Sequence, residues 1–190
     1  MLVVCATAFG TASTLLIHRH RFTPIAGGLA AALLAAALGP VPLLVVLLLA
    51  VPLAIRLAEI DLLTLRLPDR LVGALGLSIG LPLTLGYRAA VPRAAAAAAL
   101  LGFGYLVIAL APGRGLGLGD VKLAAVLGYL LGFAGWPAVL IGAVVPHLLA
   151  GPVAVFLLLT GRAGRRTAVP LGPALLAGGL IAAVATGRWA

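Results

Sequence analysis

Residues 42–69 read PLLVVLLLAVPLAIRLAEIDLLTLRLPD, and they decide the fold. From Pro42 to Ile60 only Arg56 and Glu59 interrupt a run of apolar side chains, close to the roughly 20 residues a straight bilayer span needs. Pro68 cannot continue a helix from the preceding turn, so the helix is expected to end between Asp61 and Pro68. Asp69 then stands where the next helix wants an N-cap, with Arg66 or Arg70 as its expected ion partner. Glu59 is expected as a solvated charge at the helix end. A membrane-crossing helix that ends in carboxylates is the unit from which the rest is read.

The whole chain has the same texture: 190 residues, 64% hydrophobic and 9% charged, with a mean hydropathy of +1.27. Soluble domains carry about 25% charged residues, so the chain is expected to be an all-α, polytopic membrane helical bundle. Apolar runs bounded by Pro, Gly or Arg place about eight transmembrane helices near 2–17, 24–38, 42–60, 71–86, 91–111, 120–133, 136–160 and 169–186, forming a single domain over 1–190. The first run has no basic residue before it and is read as a retained helix, with a signal peptide as the alternative. With Met1 outside, the inner loops hold Arg19, Arg21, Arg56, Arg66, Arg70, Arg114, Lys122, Arg162, Arg165 and Arg166. Only Arg88, Arg93 and Arg188 fall outside. The positive-inside rule then puts both termini outside and the ends near Asp61 and Asp120 on the cytoplasmic face. The formal charge of +9 is thereby a topology signal facing the lipid bilayer, and nucleic acid is not an expected partner. Cys5 is the only cysteine, which excludes an internal disulfide and a cysteine zinc site.

Only four acidic residues occur, and the fourth, Asp120, closes Gly115-Leu116-Gly117-Leu118-Gly119-Asp120-Val121-Lys122-Leu123. A glycine-rich run opening a helix can cradle phosphate, but Asp120 puts a negative charge there and the Walker Lys-Ser/Thr pair is missing. Asp120 by itself could be a plain helix cap. Ionisable groups in membranes are costly and mostly functional. Brought together, Asp61 and Asp120 would share a proton, one activating water while the other polarises a carbonyl. Asp61 falls at a helix C-terminus and Asp120 at an N-terminus, so the dipoles favour Asp120 as the ionised partner and Asp61 as the proton holder.

These motifs resemble the type IV prepilin leader peptidases, a family of membrane aspartic peptidases. Asp61 followed by Pro68-Asp69 matches the first motif of that family, and Gly117-Leu118-Gly119-Asp120-Val121-Lys122-Leu123 matches the second. Val169-Pro170-Leu171-Gly172-Pro173 is similar to its Pro-Phe-Gly-Pro segment, with Leu171 for Phe. The resemblance covers about 45–183; the first two helices, within 1–41, lie outside it. It implies catalytic Asp61 and Asp120, supported by Gly117, Gly119, Pro68, Asp69 and Lys122, with no metal and no cofactor. It further implies removal of a short basic leader from prepilins, or from pseudopilins of secretion and competence systems, at the cytoplasmic face of the cell inner membrane. Many bacterial members methylate the new N-terminus with a Cys-x-x-Cys insert after the first helix. Here His18-Arg19-His20-Arg21 stands at that place, so neither a zinc subdomain nor methyltransferase activity is expected.

Competing readings come from two classes. Presenilin-like and signal-peptide-peptidase-like proteases also carry Gly-x-Gly-Asp, and Pro173-Ala174-Leu175 is similar to their Pro-Ala-Leu element; Ile60 before Asp61 and the Pro68-Asp69 pair favour the prepilin family. A proton- or cation-coupled transporter would hold its carboxylates near the bilayer midplane. His18 and His20 are expected as topology charges, and Trp136 and Trp189 as outer-face anchors. His147, mid-helix beside Pro146, is expected buried and hydrogen-bonded, with a proton relay to the aspartates as the alternative.

Overall fold

Among the described residues three segments are long and apolar enough to cross a bilayer: Pro42–Thr64, Arg88–Leu110 and Trp136–Leu159. They belong to a computed structural model that describes residues 1–17, 23–111, 116–161 and 170–187. The described chain is an all-α bundle of eight helices: α1 Leu2–Ile17, α2 Thr23–Leu38, α3 Pro42–Thr64, α4 Asp69–Gly86, α5 Val91–Leu110, α6 Leu118–Ala134, α7 Trp136–Leu159 and α8 Gly172–Thr186. A short 3-10 turn, Arg88–Ala90, leads into α5. His18, Arg19, His20, Arg21, Arg114, Arg162, Arg165, Arg166, Val169, Arg188 and Trp189 lie outside the described residues.

The helix limits have local causes. Pro42 occupies the first turn of α3, where its missing N–H costs nothing. α3 runs past the apolar stretch that ends at residue 60 and stops, within the expected 61–68 window, at Leu65, whose φ of 53° and ψ of 34° turn the chain left-handed. Its N–H closes on the Asp61 carbonyl at 2.9 Å. α6 and α7 meet at Gly135, where a φ of 104° lets the chain reverse at a single residue.

Polar backbone is consumed inside helices, as a bilayer demands, and the outer surface is apolar. Leu77, Phe103 and Leu148 are 67%, 69% and 65% exposed on helix faces. The interior is closed by small residues. A methyl added to Gly132 would stand 2.5 Å from the Ala94 Cα, and one on Gly128 would stand 2.6 Å from the Ala97 carbonyl oxygen. α5 and α6 are thereby in near-backbone contact, the kind of packing that small residues permit in membranes. α3 and α6, which carry Asp61 and Asp120, are held in relation by α4 and α8, each of which packs against both. Leu57, Leu75, Leu123 and Leu175, one from each of these four helices, are fully buried.

Candidate active site

Asp61 falls in the last turn of α3, and the left-handed residue Leu65 sends the chain across the end of the bundle instead of into the next span. Leu67 turns inward and is buried. Pro68, with φ −65° and ψ 123°, becomes the N-cap of α4. Asp69 is therefore the first helical residue and not the cap, the extended cap position falling one residue earlier than expected, at Pro68. Its partner also differs from expectation. Asp69 Oδ2 accepts from Lys122 Nζ of α6 at 2.6 Å, in an exposed ion pair joining α4 to α6.

Against residues 65–68 lies the first turn of α6. A methyl on Gly119 would stand 2.9 Å from Leu67 Cβ, so this glycine sets how closely the α3–α4 connection approaches. Gly117 acts differently. Its φ of −78° is ordinary and an added methyl would reach only van der Waals contact; its contribution is an N–H donated to Asp120 Oδ2 at 3.2 Å. Asp120 is thus the third residue of the helix reaching back to the N-cap, half of a capping box, because glycine has no side-chain oxygen to return the bond.

Asp61, Asp120, Gly117, Gly119, Pro68, Asp69 and Lys122 all line one cleft of about 620 Å³. Asp61 is 4% and Asp120 9% exposed, and the charge of Asp61 acts on Asp120. Asp61 Oδ2 accepts the Gly172 N–H at 2.9 Å. Gly172 is the first residue of α8, and a methyl there would stand 2.8 Å from that same oxygen. The dipole contrast expected between the two aspartates is removed by this bond. Asp61 ends α3 but faces the amino end of α8, so each carboxylate accepts an N–H from the start of a helix. Asp120 Oδ1 is buried and meets no partner among the described residues.

Two other titratable residues depart from expectation. Glu59 is 7% exposed and not solvated, with one carboxylate oxygen 2.7 Å from Arg56 Nη1. His147 is exposed and not buried; its Nδ1 lies 2.9 Å from the Ala143 carbonyl oxygen, and its ring lies 5.5 Å from that of Tyr105. Trp136 begins α7 and is exposed. The donor role of Gly172 was not foreseen, although a glycine placed directly before Pro173 at the start of an apolar run was its signal. Nothing marks Leu67 in advance among so many leucines. A second cavity, about 300 Å³ and bounded by parts of α2, α3, α4, α6 and α8, has no titratable side chain in its wall.

Comparison with known proteins gives a consistent result. A profile of the type IV leader peptidase family matches residues 48–155, more than half of the chain and a stretch that includes Asp61 and Asp120. The prepilin leader peptidase/N-methyltransferase of Bacillus subtilis (strain 168) is 41% identical over 85 residues, which is 44% of this chain and 33% of that protein. The chain therefore matches about a third of that relative's length. No solved structure matches.

Proposed function

Because this chain belongs to the type IV leader peptidase family, we propose that it is a membrane aspartic endopeptidase. It removes the short basic leader from prepilin or pseudopilin precursors at the cytoplasmic face of the inner membrane, with Asp61 and Asp120 as the catalytic pair. The observation that carries this reading is the burial, in one cleft, of two carboxylates that lie far apart in the chain. Ten of the thirteen basic residues fall on the same side as this cleft under the positive-inside rule, which supports the orientation.

In the proposed reaction the two carboxyls hold one proton between them, since like charges this close resist joint ionisation. The ionised one takes a proton from water as the water oxygen adds to the scissile carbonyl carbon. The protonated one delivers its proton to the carbonyl oxygen. Collapse of the tetrahedral intermediate breaks the C–N bond, and the leaving nitrogen takes up the proton drawn from water. The proton lent to the carbonyl oxygen returns to the dyad, so one water is consumed and the pair is regenerated. The Gly172 and Gly117 N–H groups keep the carboxylates oriented throughout. Lys122 and Asp69 sit at the mouth, where they support the α4–α6 geometry rather than the chemistry.

The test is co-expression with a candidate prepilin, comparing the unaltered protein with Asp61→Asn and Asp120→Asn. Each variant is expected to lose at least about 10³-fold in leader cleavage while remaining folded in the membrane. Cleavage that survives both substitutions would sink the proposal, and ion transport that survives them would favour a transporter instead. Cutting of a bare transmembrane helix in preference to a prepilin leader would point to presenilin-like action. With Cys5 as its single cysteine, the chain is proposed to act as a peptidase without the methyl-transfer step. Mass spectrometry of the mature pilin should then show an unmethylated amino terminus.

A further inference from the structure

Tyr105 lies on α5, is 4% exposed, and has a hydroxyl that meets no hydrogen-bond partner among the described residues. A buried phenol nearly always finds one, because leaving the O–H unpaired in apolar surroundings is costly. The helix register shows where its partner is. α5 and α6 run antiparallel, with Ala94 against Gly132, Ala97 against Gly128 and Gly102 against Ala125. Continued along the pair, that register sets Tyr105 beside the first turn of α6, the turn that holds Asp120. Asp120 Oδ2 is taken by the Gly117 N–H, whereas its Oδ1 is the buried acceptor without a partner. An unused donor and an unused acceptor thus lie on facing turns of the tightest helix pair in the fold.

We propose that Tyr105 is a positioning residue for the aspartate pair, its hydroxyl donating toward Asp120 Oδ1 across one water and so biasing where the shared proton resides. This rests on the aspartic peptidase reading above. The ring is steadied by His147, whose imidazole packs tilted against it at 5.5 Å with Nδ1 on the backbone. Among the described residues, the other charged groups around Asp120 come from three elements. α3 contributes Asp61; the connection and α4 contribute Arg66, Asp69 and Arg70; α6 itself contributes Lys122, which is engaged by Asp69. α8 contributes the Gly172 N–H, and that is bound to Asp61. Tyr105 is the one uncharged donor that α5 brings to this group.

The test uses the full chain in membranes or detergent, with cleavage of a prepilin followed across pH. Tyr105→Phe keeps the ring and its contact with His147 and removes only the oxygen. Expected is a fall in kcat on the order of tenfold with KM unchanged. The acidic limb of the pH profile should move up by roughly one unit, because the ionised carboxylate loses a donor. Replacing Tyr105 with a fluorinated tyrosine, which keeps the fold and sharpens the donor, should move that limb the other way. If fluorination leaves the profile superimposable on that of the unaltered protein while Asp120→Asn abolishes cleavage, the role of Tyr105 is refuted and the dyad stands. If Asp120→Asn leaves cleavage intact, both fall together.

Discussion

The two ends of the α5–α6 pair are built from the same two helices and are finished in opposite ways. At the far end the last carbonyls of α6 are capped from the side: Arg93 donates through Nε to Gly132 O at 2.7 Å and through Nη2 to Phe133 O at 2.9 Å. The Gly135 N–H reaches Gly132 O only at 3.3 Å, so the end of the helix leaves acceptor capacity for a guanidinium, which suits the negative end of the dipole. Glycine there presses helix against helix. At the near end Gly119 presses a connecting segment against a helix, and two buried polar atoms, Asp120 Oδ1 and Tyr105 Oη, go unpaired among the described residues. Satisfied polar groups hold the pair together. Unsatisfied ones lie at the end that opens on the cleft, where the proposed catalytic pair sits.

If the open end is a dyad, its members cannot fail independently. The Asp61→Asn/Asp120→Asn double variant should be no slower than either single one, all down by at least about 10³-fold, because residues acting as a unit are far from additive. A product of the two separate losses would show that the aspartates work apart. Next in size is Gly172→Ala. Its methyl would meet Asp61 Oδ2 at 2.8 Å and push the carboxyl off the α8 amino end, with kcat expected to fall about 10²-fold for a displacement near 1 Å. Thermal unfolding should change little. A variant that unfolds early but retains the kcat of its folded fraction would place Gly172 in the frame and not in the site.

Helix number and class were open to inspection because each apolar run is ended by Pro, Gly or Arg. The meeting of Asp61 and Asp120 was not written in their spacing; only the two motifs together pointed to it, since α4 and α8 create the proximity. Where expectation failed, tertiary packing chose the face. α7 buries the stripe of Ala138, Val139, Gly142 and Pro146, and His147 lies one residue beyond it, turned about 100° outward. Glu59 could go inside because Arg56, one turn back, accompanies it. Lys122 could not be assigned to Asp69 from a sequence that does not say α4 and α6 are neighbours.

The closed end should answer with stability instead of rate. Arg93→Met leaves two carbonyls without their charged donor and should cost about 1.5–3 kcal/mol, read as a lower unfolding temperature in detergent with the kcat of the folded protein unchanged. Gly132→Val, forcing a side chain against Ala94, should cost about 1–3 kcal/mol by overpacking. A selective loss of kcat in either would mean that the two ends are mechanically coupled and that the contrast between them is false.

The smallest effect belongs to Asp69 and Lys122, whose ion pair spans the cleft mouth but is exposed, with side chains 66% and 53% accessible. Such a pair is worth about 0–1 kcal/mol and weakens with salt. Asp69→Asn should therefore lower the unfolding temperature barely, and less still at high ionic strength. Because the pair ties α4 to α6 across the open end, any change it does produce should appear in KM, as the approach to the cleft loosens. If Asp69→Asn lowers kcat as steeply as Gly172→Ala, then Asp69 belongs with the buried carboxylates, and the boundary between chemistry and scaffold must be drawn one turn further out.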